Sequence, residues 1–300
     1  MEQSADQNIQ AFLDYLKFQK RYSRHTVISY HTDLESFFAF LKKLYDAPAL
    51  SDIKAGMVRS WLASLKADEN SSRTINRKIS SLKTFFKYQL RQGLITVSPM
   101  TTVVSPKQNK RLPEFVDKRD TEVLFTQMEF PNDWTGLTDQ LILQLLYSTG
   151  MRQAELISLK ETQVDFAKDS IKVLGKGGKE RIIPVSRELM NNIRLYIEQK
   201  SKQIADANKV HLLVRSNGQP LYPKYVYNSV KKYLSQVTTI EKRSPHILRH
   251  TFATHLTNNG ADLNAVKELL GHSSLAATQV YTHNTIEKLK DIHRKAHPKA

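Results

Sequence analysis

The residues whose types and spacing are best suited to chemistry lie at the start of a predicted helix, in Ser244-Pro-His-Ile-Leu-Arg-His250. Ser244 suits an N-cap, and Pro245 suits the first helical position, where the missing N–H of a proline costs nothing. A spacing of three places His246 and Arg249 on one face of that helix, beside its electropositive N-terminal end. Such a face suits an anion, and a phosphate is the anion that we predict.

Two basic residues further upstream could join that site. Arg152 precedes Glu155 by three residues, so the carboxylate can hold the guanidinium group on the same helical face. Lys176 lies among glycines in Gly175-Lys-Gly-Gly178, where a flexible ammonium group can reach into a groove. Each feature also has an ordinary explanation, which is a surface ion pair for the first and a solvated turn lysine for the second.

Two residues further downstream complete the candidates. His272 directly follows Gly271, a glycine that is predicted to end a helix. Tyr281 lies nine residues beyond His272, in a short helix predicted over 274–283. The alternative for the histidine is a capping or solvent-exposed role, and the alternative for the tyrosine is core packing.

Together these residues fit one reaction, the transfer of a phosphodiester without a metal or other cofactor. The catalytic set that we predict is Arg152, Lys176, His246, Arg249, His272 and Tyr281. The arginines could clamp the non-bridging oxygens, whose negative charge grows in a five-coordinate transition state, and the histidines could add hydrogen bonds. Tyr281 would attack phosphorus, because an electropositive pocket lowers the pKa of a phenol from its reference value of about 10. Lys176 would protonate the departing oxygen.

Two other interpretations of these motifs are weaker. His246 and His250 are four apart, as in a helical zinc site, but the helix lacks the glutamate of His-Glu-x-x-His and offers no third ligand. The glycine-rich stretch around Lys176 is flanked by predicted strands, whereas a phosphate loop leads from a strand into a helix. We therefore expect no metal site, and we assign His250 to the structural support of the site.

The composition favours nucleic acid as the partner. The 300-residue chain has 45 lysines and arginines against 29 acidic residues, a formal net charge of +16 to which the parts before and after residue 116 each contribute +8. So large an excess suits a polyanion, with DNA ahead of an anionic membrane surface. The chain has no cysteine, which excludes thiol catalysis, disulfides and thiolate metal sites. Because the N-terminus lacks a secretory signal and no apolar run is long enough to span a membrane, we expect a cytoplasmic protein.

Helical periodicity predicts an all-helical first domain over residues 1–104. We expect two helices within 8–44, broken near Ser23, a third over 54–66, and a fourth that begins at Ser71 and stops at Gly93. The fourth helix has a basic face that could contact DNA, although a solvated face is the alternative. The residues of that face are Arg73, Arg77, Lys78 and Lys83.

A linker over 105–116 is predicted to lead into a second domain over 117–300. Alternating apolar residues around the glycines predict a β-hairpin over 171–185, and we expect its basic residues Lys179 and Arg181 to contact DNA. The rest of this domain is predicted to be helical, so the fold class is mainly α with a small β element in a mixed α/β second domain. The tail over 284–300 is too short and too weakly apolar to stand alone, and is expected to dock on a neighbouring protomer or on its own domain.

Taken together, the motifs resemble those of the tyrosine recombinases, and within that family the Xer-type recombinases. The resemblance is strongest in four stretches, which are Ser-Thr-Gly-Met-Arg152-Gln-Ala-Glu155, Val-Leu-Gly-Lys176-Gly-Gly-Lys-Glu-Arg-Ile-Ile-Pro, His246-Ile-Leu-Arg249-His-Thr-Phe-Ala-Thr-His and Leu-Leu-Gly-His272-Ser-Ser-Leu-Ala-Ala-Thr-Gln-Val-Tyr281. The first domain is similar to the SAM-like core-binding domain of the family in the segments around Tyr22 and around Asn76.

This resemblance implies a clamp of two domains around duplex DNA and cleavage by Tyr281 to a 3′-phosphotyrosyl link. It also implies Lys176 as the general acid, Glu155 as structural support, and strand exchange through a Holliday junction in a homo- or hetero-tetramer with a related recombinase. Xer-type members resolve chromosome dimers at a dif-like site during chromosome segregation and cell division, with a DNA translocase as regulator. The alternatives are a mobile-element integrase of the same chemistry, which the absence of a preceding arm-binding domain disfavours, a type IB topoisomerase, or a non-catalytic DNA-binding protein.

Overall fold

The computed structural model describes residues 4–107, 114–175, 178, 180–204 and 208–271. The chain divides into two compact units between residues 110 and 111, here called the first unit and the second unit. Each unit has its own hydrophobic core. Within the described residues, no helix combines the length and the apolar character needed to cross a bilayer.

The first unit is helical, as its periodicity predicts. Its elements are α1 (Ala5–Asp14) continued by a π-helical turn (Tyr15–Gln19), α2 (Arg24–Tyr45), a 3-10 turn (Leu50–Asp52), α3 (Ala55–Ala67) and α4 (Ser72–Arg91). Serine side chains cap three of the helices: Ser4, Ser23 and Ser71 each accept a hydrogen bond from the backbone N–H three residues on. The core is aromatic, with Phe37 packed edge-on against Trp61 at a centroid distance of 5.1 Å.

The second unit combines helices with one small sheet. Its helices are α5 (Lys118–Thr126), α6 (Trp134–Thr149), α7 (Gln153–Ile157), α8 (Arg187–Gln203), α9 (Pro223–Val237), α10 (Pro245–Asn258) and α11 (Leu263–Leu270), with a 3-10 turn at Glu161–Gln163. Its strands are β1 (Val164–Asp165), β2 (Ser170–Leu174) and β3 (Glu180–Pro184). The strands are antiparallel in the order β1-β2-β3, and Ile171 pairs with Ile183 in the predicted hairpin. The sequence predicted β2 and β3 but not β1, because a strand of two residues shows no alternating pattern.

Helix α6 lies at the centre of the second unit. None of its residues is exposed, and it packs against α8, α9 and α10. Asp133 caps its start by accepting a hydrogen bond from the Gly136 N–H at 2.7 Å. Its other end leads directly into the segment around Arg152, so a helix packed in the core determines where that segment begins.

Candidate active site

Arg249 is a buried arginine on α10, with a relative exposure of 5%. Its Nη1 donates a hydrogen bond to the Gly150 carbonyl at 2.5 Å, and its Nη2 donates one to the Leu270 carbonyl at 2.6 Å. Helix α10 begins at Pro245 as predicted, although the hydroxyl of Ser244 at the N-cap position makes no capping hydrogen bond. The guanidinium group is therefore oriented by backbone carbonyls at the ends of two other helices.

Gly150, which supplies the first of these carbonyls, has a conformation that few other residues adopt. Its φ is +59°, in the left-handed region, where it ends α6. A Cβ added there would lie 2.4 Å from Cδ1 of Phe252 and 3.0 Å from Cδ2 of Leu270. A glycine is needed for both reasons, and it brings the end of α6 close to α10 and α11.

Arg152 follows two residues later and is held by Glu155. Its Nη1 donates to Oε1 of Glu155 at 2.8 Å, and its backbone N–H donates to Oε2 at 2.7 Å. The ion pair expected from the spacing of three is thus present. Nη2 of Arg152 donates to the Gly271 carbonyl at 3.2 Å, and a third of the side chain remains exposed. This arginine is fixed in direction but still accessible from solvent.

Arg181 on β3 also binds Glu155. Its Nη1 and Nη2 donate to Oε1 and Oε2 of the carboxylate at 3.1 and 2.8 Å, and its Nε donates to the Leu269 carbonyl at 2.7 Å. The prediction that Arg181 contacts DNA does not fit this placement, because the side chain is 9% exposed and its donors face inward. Burial alone would raise the pKa of Glu155, but hydrogen bonds from Arg181 and Arg152, with the charge of Arg181, lower it below its ordinary value.

The three guanidinium groups meet at the end of α11. Arg181, Arg249 and Arg152 bind three consecutive carbonyls, those of Leu269, Leu270 and Gly271 respectively. The last carbonyls of a helix have no partner within the helix and carry its negative dipole end, so they attract cations. Here they fix three arginines from three separate segments. We call this arrangement of Arg152, Arg181, Arg249 and Glu155 the arginine cluster.

His246 lies near the same cluster, at the start of α10. Much of its ring is exposed, but the buried part, together with the positive charges of Arg249 and Arg152, lowers the pKa of His246 below its ordinary value. His250 is more buried, and burial followed by the charges of His246 and Arg249 lowers its pKa as well. Both imidazoles therefore favour the neutral form at neutral pH. The structure thus brings together Arg152, Arg249 and His246.

Residues 114–288 match the phage integrase family, and residues 9–93 match the N-terminal SAM-like domain of phage integrases. The chain is a tyrosine recombinase of this family. It is 41% identical over 295 residues to the tyrosine recombinase XerC of Staphylococcus saprophyticus, and the alignment covers 97% of both chains. It is 36% identical to the tyrosine recombinase XerC of Chlorobaculum parvum, across 97% of this chain and 94% of that relative. The predicted family is thus confirmed, as is the activity of a tyrosine site-specific recombinase.

Solved structures share the fold of the recombinase. The XerH site-specific recombinase, bound to a palindromic difH substrate in a post-cleavage complex, gives a TM-score of 0.78 at 22% identity, covering 96% of this chain and 83% of that chain. The Tn1549 transposon integrase in complex with transposon right end DNA gives 0.75 at 19% identity, covering 94% and 99%. These similarities, with the domain matches, confirm the predicted fold class of a helical SAM-like domain and a mostly helical catalytic domain.

Several predicted residues of the recombinase lie outside the described part of the chain. They are Lys176, Lys179, His272, Tyr281 and the tail over 284–300. The described residues next to them are informative: the Gly178 N–H donates to the Gly175 carbonyl at 3.2 Å, and Gly271 ends α11 with a φ of +64°. Within the described ranges, no group of three or more histidines, aspartates or glutamates could hold a metal ion.

The predicted basic face of α4 contains a buried ion pair. Asp33 of α2 is fully buried, and it pairs with Arg77 and, at 3.4 Å, with Nζ of Lys78. Lys78 also lies 5.4 Å from the centre of the Trp61 ring, and its side chain is 10% exposed. The prediction that Lys78 contacts DNA therefore does not fit, because its ammonium group neutralises a carboxylate in the core. Arg73 remains exposed.

Lys83 lines a cleft in the first unit that was not predicted from the sequence. The cleft is lined by Tyr15, Leu16, Lys20, Tyr22, Lys83, Thr84, Lys87, Tyr88 and Arg91. Lys83, Lys87 and Arg91 follow one another at intervals of four residues, which places them on one face of α4. This spacing could have been used to predict a basic surface from the sequence. We call this surface the basic cleft.

Proposed function

We propose that this recombinase cuts and rejoins double-stranded DNA at a specific site through a 3′-phosphotyrosyl bond to Tyr281. The observation that supports the proposal most strongly is the convergence of Arg152, Arg249 and His246 beside the end of α11. Positive charge held in a fixed direction is what a phosphate needs when its non-bridging oxygens gain charge in the transition state. Because carbonyls and Glu155 orient the arginines beforehand, little reorganisation is needed when DNA binds.

The other roles follow from the same chemistry. Arg152 and Arg249 would hold the scissile phosphate, and neutral His246 would donate a hydrogen bond to it without adding charge. Tyr281 would form the covalent bond to phosphorus while Lys176 protonates the departing 5′-oxygen, and His272 would add a second hydrogen bond. Since the phosphotyrosine preserves the energy of the cleaved bond, the 5′-hydroxyl of another strand can reverse the reaction without ATP.

We further propose that the substrate is a dif-like site and that the reaction resolves chromosome dimers. The full-length similarity to proteins named XerC supports this, as does the shared fold with XerH in complex with difH. A domain over 1–104 would bind one side of the duplex through the basic cleft and Arg73, a linker over 105–116 would follow, and a domain over 117–300 would hold the catalytic residues. Four protomers, identical or of two related kinds, would assemble on two sites under the control of a DNA translocase.

The first experiment locates the substrate. Purified protein is footprinted on tiled segments of the organism's own chromosome, with the replication-terminus region included at high density. We expect strong protection at a single site in the terminus region. Protection at the ends of a mobile element instead would replace dimer resolution by the integrase function, and equal weak protection everywhere would contradict sequence-specific recombination.

The second experiment tests the nucleophile. The protected site is made as a duplex with a nick near the predicted cleavage point, so that the short 5′-hydroxyl fragment is lost and the covalent adduct accumulates. We expect the wild type to form the adduct and Tyr281→Phe to form none, while Tyr227→Phe, at an exposed tyrosine of α9, serves as the matched control. An adduct with Tyr281→Phe would refute the assignment, and relaxation of plasmid without the site would favour a topoisomerase.

A further inference from the structure

Arg181 has no part in the chemistry assigned above, yet it is the less exposed of the two arginines that bind Glu155. Its side chain is 9% exposed, against 33% for Arg152 and 5% for Glu155. Its two terminal nitrogens bind both oxygens of the carboxylate, which is the fork geometry that gives an arginine both strength and direction. Nε, Nη1 and Nη2 of Arg181 each donate to a protein acceptor, so we expect this side chain to act on other residues of the protein and not on a ligand.

The arrangement of charges suggests what Arg181 does. Glu155 accepts four N–H groups, two from Arg152 and two from Arg181. If Arg181 were absent, Arg152 would be the only cation paired with Glu155 among these contacts. The carboxylate would then largely cancel the charge of Arg152 at the place where the phosphate is to bind. With Arg181 present, Glu155 orients Arg152 while a second cation neutralises Glu155. The arginine cluster then keeps a net positive charge that is directed towards solvent through Arg152.

Arg181 also links two segments that lead to predicted catalytic residues outside the described part of the chain. It lies on β3, which follows the glycine-rich segment of the sequence that contains Lys176. Its Nε binds the Leu269 carbonyl at 2.7 Å, three residues before His272. One side chain thus connects the hairpin, the Arg152 segment and the end of α11.

We propose that Arg181 is a positioning residue of the recombinase site, which neutralises Glu155 so that Arg152 keeps its charge for the scissile phosphate and which holds the end of α11 in place. This inference rests on the proposed function. It differs from the expected DNA contact, because Arg181 acts through Glu155 and Leu269 and touches no phosphate.

The test compares Arg181→Gln and Arg181→Lys with the wild type on the nicked duplex described above. At saturating DNA, we expect adduct formation by Arg181→Gln to be slower by roughly 10- to 100-fold, the size of effect that a small misplacement of a binding group produces. Its affinity for the intact duplex should change less than threefold. Arg181→Lys retains the charge without the fork, so its rate should be intermediate.

Two further measurements separate this role from general destabilisation. With a neutral methylphosphonate at the scissile position, less positive charge is required, so the defect of Arg181→Gln should shrink to less than about threefold. Adding Glu155→Gln to Arg181→Gln removes the carboxylate that cancels the charge of Arg152 and should recover part of the rate. The matched control is Lys200→Gln, which breaks the buried Lys200–Glu161 ion pair of 2.7 Å elsewhere in the second unit and should leave the rate per folded molecule unchanged.

The outcomes distinguish the two levels of the proposal. If the wild type forms the adduct and Arg181→Gln matches its rate, the positioning role is wrong while the proposed function stands. An equal defect on the phosphate and methylphosphonate duplexes would overturn the charge compensation and leave only the hold on the end of α11. An equal defect in Lys200→Gln would overturn the whole proposal, because it indicates a general loss of structure. If the wild type forms no adduct on the protected site, the proposed function fails and this inference fails with it.

Discussion

Replacing Gly150 with alanine should lower the free energy of unfolding of the second unit by several kcal/mol. Two effects add at this position. A left-handed residue other than glycine costs about 1–2 kcal/mol, and the new methyl group would lie 2.4 Å from Phe252 Cδ1 and 3.0 Å from Leu270 Cδ2. Overpacking of this kind costs about 1–3 kcal/mol, so the total is about 2–5 kcal/mol. Relief of the clash must also move the carbonyl that Arg249 binds at 2.5 Å.

Urea unfolding of the full chain, fitted with a separate transition for each unit, measures the loss. Gly260→Ala is the matched control in the same unit, since Gly260 has a φ of +90° and nothing within 4 Å of an added Cβ. It should lose only the backbone contribution, about 1–2 kcal/mol. We also expect Gly150→Ala, but not Gly260→Ala, to slow adduct formation per folded molecule. Equal stability losses in the two variants would refute the packing argument at the end of α6.

Two more predictions concern buried charges. The second unit should lose stability as the pH falls from about 7 to 5, because burial lowers the pKa of His255 in the folded state, so the unfolded chain binds the proton first. Urea unfolding across that range should show a flatter profile for His255→Gln. In the first unit, Asp33→Ala should cost about 3–5 kcal/mol in the same assay, because it leaves the ammonium group of Lys78 buried without its carboxylate.

Each of these two predictions has an outcome that would contradict it, and the first unit also offers a control variant. Glu35 forms an exposed pair with His31 at 3.2 Å, so Glu35→Ala should change the free energy of unfolding by less than about 1 kcal/mol. A loss of that size in Asp33→Ala would contradict the buried ion pair. For the histidine, a profile as steep in His255→Gln as in the wild type would assign the pH dependence to other groups.

Local patterns in the sequence predicted the elements and part of the cluster. The spacing of Arg152 and Glu155 predicted their ion pair, and Ser244-Pro245 predicted where α10 begins. The role of Arg181 was not predicted, because its partners lie 26 and 88 residues away and no local rule specifies them. One feature of the sequence did indicate burial. Arg181 lies two residues before buried Ile183 on β3, which places both side chains on the same face of the sheet.

The burial of Lys78 was likewise indicated by a local pattern, here the periodicity of a helix. It was assigned to a basic surface on the basis of charge, although its position three residues after Ile75 and four before Leu82 places it on the apolar face of α4. Periodicity favoured burial, and the structure agrees because Asp33 of a different helix supplies the compensating charge. Composition cannot reveal such pairings, since they depend on which faces two helices present to each other.

The bonds at the end of α11 have a consequence for how the protein acquires its activity. They join residues separated by 119, 88 and 21 positions along the chain. Contacts of such long range form late in folding, because the entropy of closing the intervening loops must first be overcome. A partly folded second unit could therefore bind DNA through its positive charge but could not assemble the arginine cluster. Strand cleavage would then be confined to molecules whose second unit is fully folded.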